Sequence, residues 1–104
     1  MAKNTEILLQ IKQSIIAIDD SAEVILFGSR ARGDNTKESD WDILVLSNKE
    51  VNATFKHKIS DSLFYIGLDN IATISTIVVN KQNWYNKFKG YPLFFEIQKD
   101  GIAI

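Results

Sequence analysis

The segment Phe27-Gly28-Ser29-Arg30-Ala31-Arg32-Gly33-Asp34-Asn35-Thr36-Lys37-Glu38-Ser39-Asp40-Trp41-Asp42 decides how this chain is read. Two apolar runs bracket it. Residues 22–27 are rich in Val, Ile and Leu and stop at Gly28; residues 41–46 form the matching run on the far side. Both read as buried strands. Residues 28–40 are dominated by Gly, Ser, Asp, Asn and Thr, which makes them a loop with a short helical turn after Ser29.

Outward from this segment the periodicity changes. Ile7, Leu8, Ile11, Ile15 and Ile18 follow helical spacing, with Asn4 or Thr5 as the expected cap. A second helix is expected over about residues 51–69, where Val51, Phe55, Ile59, Leu63 and Ile66 share a face. The β-branched run from Ile71 to Val79 reads as a third strand. A short helix follows Asn80, and Pro92 suits the first position of a last helix that runs to about Lys99 before Gly101. Strands separated by helices imply an α/β or α+β domain with a small sheet. With 104 residues the chain is expected to form one domain, 1–104.

Composition narrows the function. The charged fraction is 24%, the formal net charge is −1 and the pI is about 5.7, which argues against a broad basic surface for duplex DNA. Cysteine is absent, so disulfides, thiolate zinc sites and cysteine nucleophiles are excluded. His57 is the one histidine, which excludes multi-histidine metal sites. No stretch has the length of a membrane span or the form of a signal peptide, so a cytoplasmic protein with no membrane partner is the expectation.

The polar loop carries the chemistry. Asp40 and Asp42 flank one residue at a strand start, and a period of two directs both carboxylates to one side, with α-carbons about 6.6 Å apart. Two unit charges about 4 Å apart repel by roughly 4 kcal/mol at an effective dielectric of 20. Screening by water, a shared proton or a cation between them relieves that cost. Hard oxygen donors without His or Cys suit Mg²⁺ or Mn²⁺, completed by water and phosphate oxygens. At the other end of the loop, Gly28 permits close backbone approach and Ser29 offers a hydroxyl and an amide. Arg30 and Arg32 can pair with phosphate oxygens. Either half alone is common in ordinary turns. All four fixed positions together arise by chance in about one chain of this length in a thousand, at roughly 5–7% usage per residue type.

Gly28-Ser29, ten intervening residues and Asp40-x-Asp42 resemble the minimal nucleotidyltransferase (MNT) branch of the DNA polymerase β-like superfamily. Arg30-Ala31-Arg32-Gly33-Asp34 and Ser39-Asp40-Trp41-Asp42 resemble that branch too, most strongly over residues 22–47. The resemblance implies a nucleotidyltransferase fold with a small mixed sheet flanked by helices. It implies Asp40 and Asp42 as catalytic and metal-holding residues for Mg²⁺ or Mn²⁺, and a nucleotide site at Gly28, Ser29, Arg30, Arg32 and Ser39. It further implies ATP as donor of an AMP group, and a helical HEPN-type partner whose tyrosine hydroxyl accepts it in a toxin–antitoxin pair. One departure stands out. The superfamily often carries a third carboxylate on a later strand, and Ile71–Val79 has none; Asp69 and Glu38 lie nearby in sequence but at non-matching positions. The acceptor would then lose its proton to solvent or to a partner residue. Alternatively, the domain is weak or inactive and neutralises its partner by contact alone.

The remaining candidates have plainer readings. Trp41 is expected on the opposite face from the aspartates, in the core. His57 and Lys37 read as surface residues. Trp84, Tyr85, Phe88, Tyr91, Phe94 and Phe95 are expected to divide between core and a partner surface.

Overall fold

A computed structural model of the chain describes residues 2–104; the side chains of residues 1–5 are not among those described. The elements run α1 (Ala2–Ile18), β1 (Glu23–Phe27), α2 (Ser29–Arg32), β2 (Trp41–Ser47), α3 (Ala53–Asn70), β3 (Ile74–Asn80), α4 (Lys81–Lys87), α5 (Pro92–Asp100) and β4 (Ile102–Ala103). The strands form one sheet in the order β3-β2-β1-β4. β1 pairs antiparallel with β2 and β4, and β2 pairs parallel with β3. A parallel pair needs a long crossover, and α3 supplies it. The sheet is therefore mixed, and the α/β expectation holds.

β2 is the central element. Ile43, Leu44, Val45 and Leu46 are all fully buried, a continuous apolar run because helices cover both faces of the strand. Each such side chain contributes roughly 1.5–3 kcal/mol on burial. On one face Trp41, Ile43 and Val45 join Ile7, Ile11 and Ile15 of α1 and Ile59 and Leu63 of α3. On the other, Leu44 and Leu46 join Trp84 of α4 and Phe94 and Ile97 of α5. Of the aromatic cluster, Trp84 and Phe94 are core, and Tyr85, Tyr91 and Phe95 are exposed.

Local chemistry sets the element ends. Asn52 caps α3 by accepting from the Phe55 amide at 2.8 Å, and Asn80 caps α4 by accepting from the Asn83 amide at 3.1 Å. Pro92 opens α5.

Three details differ from the sequence reading. α1 already includes Ala2, ahead of the suggested Asn4 or Thr5 cap, whose side chains lie outside those described. The third strand starts at Ile74 rather than Ile71, because residues 71–73 first turn the chain out of α3. There Ile71 takes φ 51° and the Ala72 amide donates to Gly67 O at 2.9 Å. β4 was not expected. It has two residues, too few for a pattern, and its pairing with Ile25 and Leu26 defines it.

Candidate active site

The register of β1 on β2 builds the site. Phe27 pairs with Asp42, so Gly28 and Ser29 emerge beside the Asp42 side chain although they lie far from it in sequence. Gly28 has φ 76° and ψ −158°, a region essentially reserved for glycine. A Cβ at this position would collide with Asp42 Oδ2 and come within 3.0 Å of its Cγ. Glycine is required here twice over, by its backbone angles and by the carboxylate above it.

The backbone then turns directly into α2. The Ala31 and Arg32 amides both donate to Gly28 O at 3.1 Å, and Gly33 closes the turn in the left-handed conformation with its amide on Ser29 O. The Ser29 and Arg30 amides head the turn, where no intrahelical acceptor exists for them. The short helical turn expected after Ser29 is therefore real, and it opens beside Asp42.

Asp42 is half-buried on the α4–α5 face of β2, and Asp40 is exposed one residue before the strand begins. Burial pushes the Asp42 carboxyl above its ordinary value, the Asp40 charge pushes it further, and Arg32 pulls it partly back. The two aspartates thus interact. Arg32 is exposed, donates to Asp34 Oδ2 at 3.2 Å and is held charged by that partner, with smaller help from Asp100 and Glu96.

The other candidates fall elsewhere. The Arg30 guanidinium lies 4.1 Å from the centre of the Trp41 ring and donates to loop carbonyls. The Ser39 hydroxyl accepts from the Thr36 amide at 2.9 Å. Both hold the loop. Trp41 is buried on the α1–α3 face, as alternation required. A cavity of about 690 Å³, lined by Ile7, Arg30, Thr36, Trp41, Asn70 and Ile71, is on that same face, across the sheet from Asp42. Neither Asp40 nor Asp42 lines this cavity. His57 and Lys37 are exposed.

The third acid is absent from the neighbouring strand as well. Asp42 pairs in register with Ser75 of β3, and parallel partners in register share a face, so a serine occupies the adjacent position. Asp69 is exposed near the end of α3, which covers the opposite face of the sheet. Among the described residues no group of three or more His, Cys, Asp or Glu converges as a metal site. The hard carboxylates of Asp42, set against the Gly28 turn, and of exposed Asp40 suit a divalent cation that takes its remaining ligands from phosphates and water. No helix among the described residues is long and apolar enough to cross a membrane.

Residues 8–98 match the family described as the nucleotidyltransferase domain. A Methanocaldococcus jannaschii protein with the provisional designation protein adenylyltransferase is 38% identical over 78 residues, 73% of this chain and 79% of its own. Two solved structures share the fold. One, from Sulfolobus solfataricus and provisionally designated a nucleotidyltransferase, has a TM-score of 0.50 and 23% identity, over 99% of this chain and 86% of its own. The other, a mutant of the toxin–antitoxin complex MntA–HpeT, has a TM-score of 0.54 and 15% identity, over 89% of this chain and 70% of its own. With nearly nine-tenths of its length matched, the chain belongs to the nucleotidyltransferase domain family.

Proposed function

We propose that this protein transfers AMP from ATP to a hydroxyl on a protein partner, a tyrosine of a helical HEPN-type protein, and acts in the cytoplasm as the antitoxin of that pair. The observation that carries the reading is the Gly28 turn, which opens α2 directly against the Asp42 carboxylate. The designation of the M. jannaschii relative supports a protein acceptor, and the toxin–antitoxin neighbour supports a partner chain.

In this reaction the acceptor oxygen bonds to the α-phosphorus and the bond to pyrophosphate breaks. The Ser29 hydroxyl and the α2 amides orient phosphate oxygens, and Arg32 offsets their charge. Asp40 and Asp42 would hold Mg²⁺ or Mn²⁺. When bound, such a cation neutralises phosphate charge and the repulsion between the two acids. Ser75 cannot serve as base at neutral pH, so the acceptor proton passes to solvent or to a group on the partner.

The test is incubation with α-labelled ATP, Mg²⁺ and the product of the neighbouring gene. Label should move to that protein, and Asp40→Asn with Asp42→Asn should reduce transfer at least a thousandfold. Transfer that survives this double change refutes the proposal. A second reading, neutralisation by contact alone, is favoured by Ser75 in place of an acid. It requires the double variant to neutralise the partner as well as the unchanged protein does.

A further inference from the structure

Asp40 poses a positional problem. It lies outside β2, so no strand hydrogen bond fixes it, and it must stay close to a second carboxylate that repels it. The residues on either side of it are tied down. The Trp41 amide donates to Thr73 O at 2.9 Å. On the other side, Arg30 Nε donates to Ser39 O at 3.0 Å, and Arg30 Nη2 reaches Lys37 O at 3.3 Å and Thr36 O at 3.4 Å. The guanidinium carbon sits over the buried Trp41 ring, 4.1 Å from its centre, and Trp41 is also the residue that separates the two aspartates. The turn itself is closed by the Ser39 amide on Thr36 O and by the Thr36 amide on Ser39 Oγ.

We propose that Arg30 is a positioning residue for Asp40: its fork of donors gathers the carbonyls of residues 36, 37 and 39, and its seat on Trp41 fixes that fork relative to β2. The sequence suggests Arg30 as a phosphate ligand. The structure instead commits its Nε and Nη2 to backbone carbonyls and its face to an indole. Arg32, two residues on, is the arginine whose charge reaches Asp42. A planar fork is required, because a lysine ammonium cannot reach three carbonyls while lying flat on a ring.

The inference concerns the site proposed above, and the experiment separates its failure from failure of that reading. The first arm needs no ligand. Amide hydrogen exchange at Thr36, Ser39 and Trp41 is compared in the unchanged protein, Arg30→Met and Arg30→Lys. Both variants should exchange at least tenfold faster at these amides, with α3 and β1 unaffected. Unchanged exchange overturns the proposal, as does full protection in Arg30→Lys. Should the methionine variant fail to fold, the lysine variant carries the comparison. The second arm measures Mn²⁺·ATP affinity by electron paramagnetic resonance. Arg30→Met should weaken binding about tenfold, and it should add nothing when Asp40→Asn is already present. Losses that add identify Arg30 as an independent phosphate ligand and overturn the proposal. If the unchanged protein binds no Mn²⁺·ATP, the transferase reading falls, and the exchange arm alone decides the role of Arg30.

Discussion

The β1–β2 pair carries an aspartate close to each end, and the fold treats the two in opposite ways. Asp19, just before β1, has only 1% of its surface exposed. Burial alone would raise its carboxyl, but donors from Ser47 Oγ, Ser21 Oγ and the Ser21 amide, with Lys49 at 3.9 Å, outweigh it and hold the group below its ordinary value. Asp42, at the other end, is partly buried beside another acid, and its carboxyl is raised. One carboxylate has its partners built in. The other is held in a state that a cation would relieve. The difference separates a structural acid from a functional one more clearly than burial does, since the more buried acid is the structural one.

The comparison can be broken at either end. The largest expected effect is at Asp19. Asp19→Ala should cost about 2–4 kcal/mol in urea unfolding, because it leaves the Ser47 hydroxyl and the Ser21 amide without their acceptor. The Asp19 contribution is present above the unfolded-state pKa near 3.8 and is lost as pH falls through the lower folded value. Gly28→Ala should follow, costing about 1–3 kcal/mol through its backbone angles and displacing the Asp42 carboxylate. Measured transfer should fall with it, whereas Gly33→Ala, with open space around its Cβ, should lose stability but keep transfer. The smallest effect has the opposite sign. Asp42→Asn should stabilise the metal-free protein at pH 7 by about 0.5 kcal/mol, since the charge it removes is partly desolvated and repelled. A raised carboxyl favours the fold only when protonated. The gain over the unchanged protein should therefore shrink as pH falls through the folded Asp42 pKa and vanish below about 4, which thermal melts at several pH values can follow. A neutral or destabilising result at pH 7 would mean that Asp42 already has partners, as Asp19 does.

Much of this was legible in the sequence, for identifiable reasons. A glycine at a strand end is a local statement about backbone angle and survives folding unchanged; of the two acids spaced by two, the strand takes in Asp42 and leaves Asp40 just before its start. The faces of Trp41 and Asp42 followed from strand alternation. What escaped depends on distant partners. The acceptors of Arg30 are backbone carbonyls six to nine residues away, and carbonyls carry no residue identity. Asp19 gains its buried partner only when Ser47, 28 positions later, comes to rest on it. The Asp19-x-Ser21 spacing was a weak local hint, because an aspartate often accepts from the amide two residues on. β4 exists only because β1 offers an edge.

The pairing of Phe27 with Asp42 has a consequence for how such proteins can diverge. Gly28 and Asp42 meet at the end of one ladder, and Arg30 secures the approach to Asp40. Residues 34–38 between these anchors all face solvent. Selection is thus free to rewrite that outer arc to suit a new acceptor while the reacting centre stays as it is.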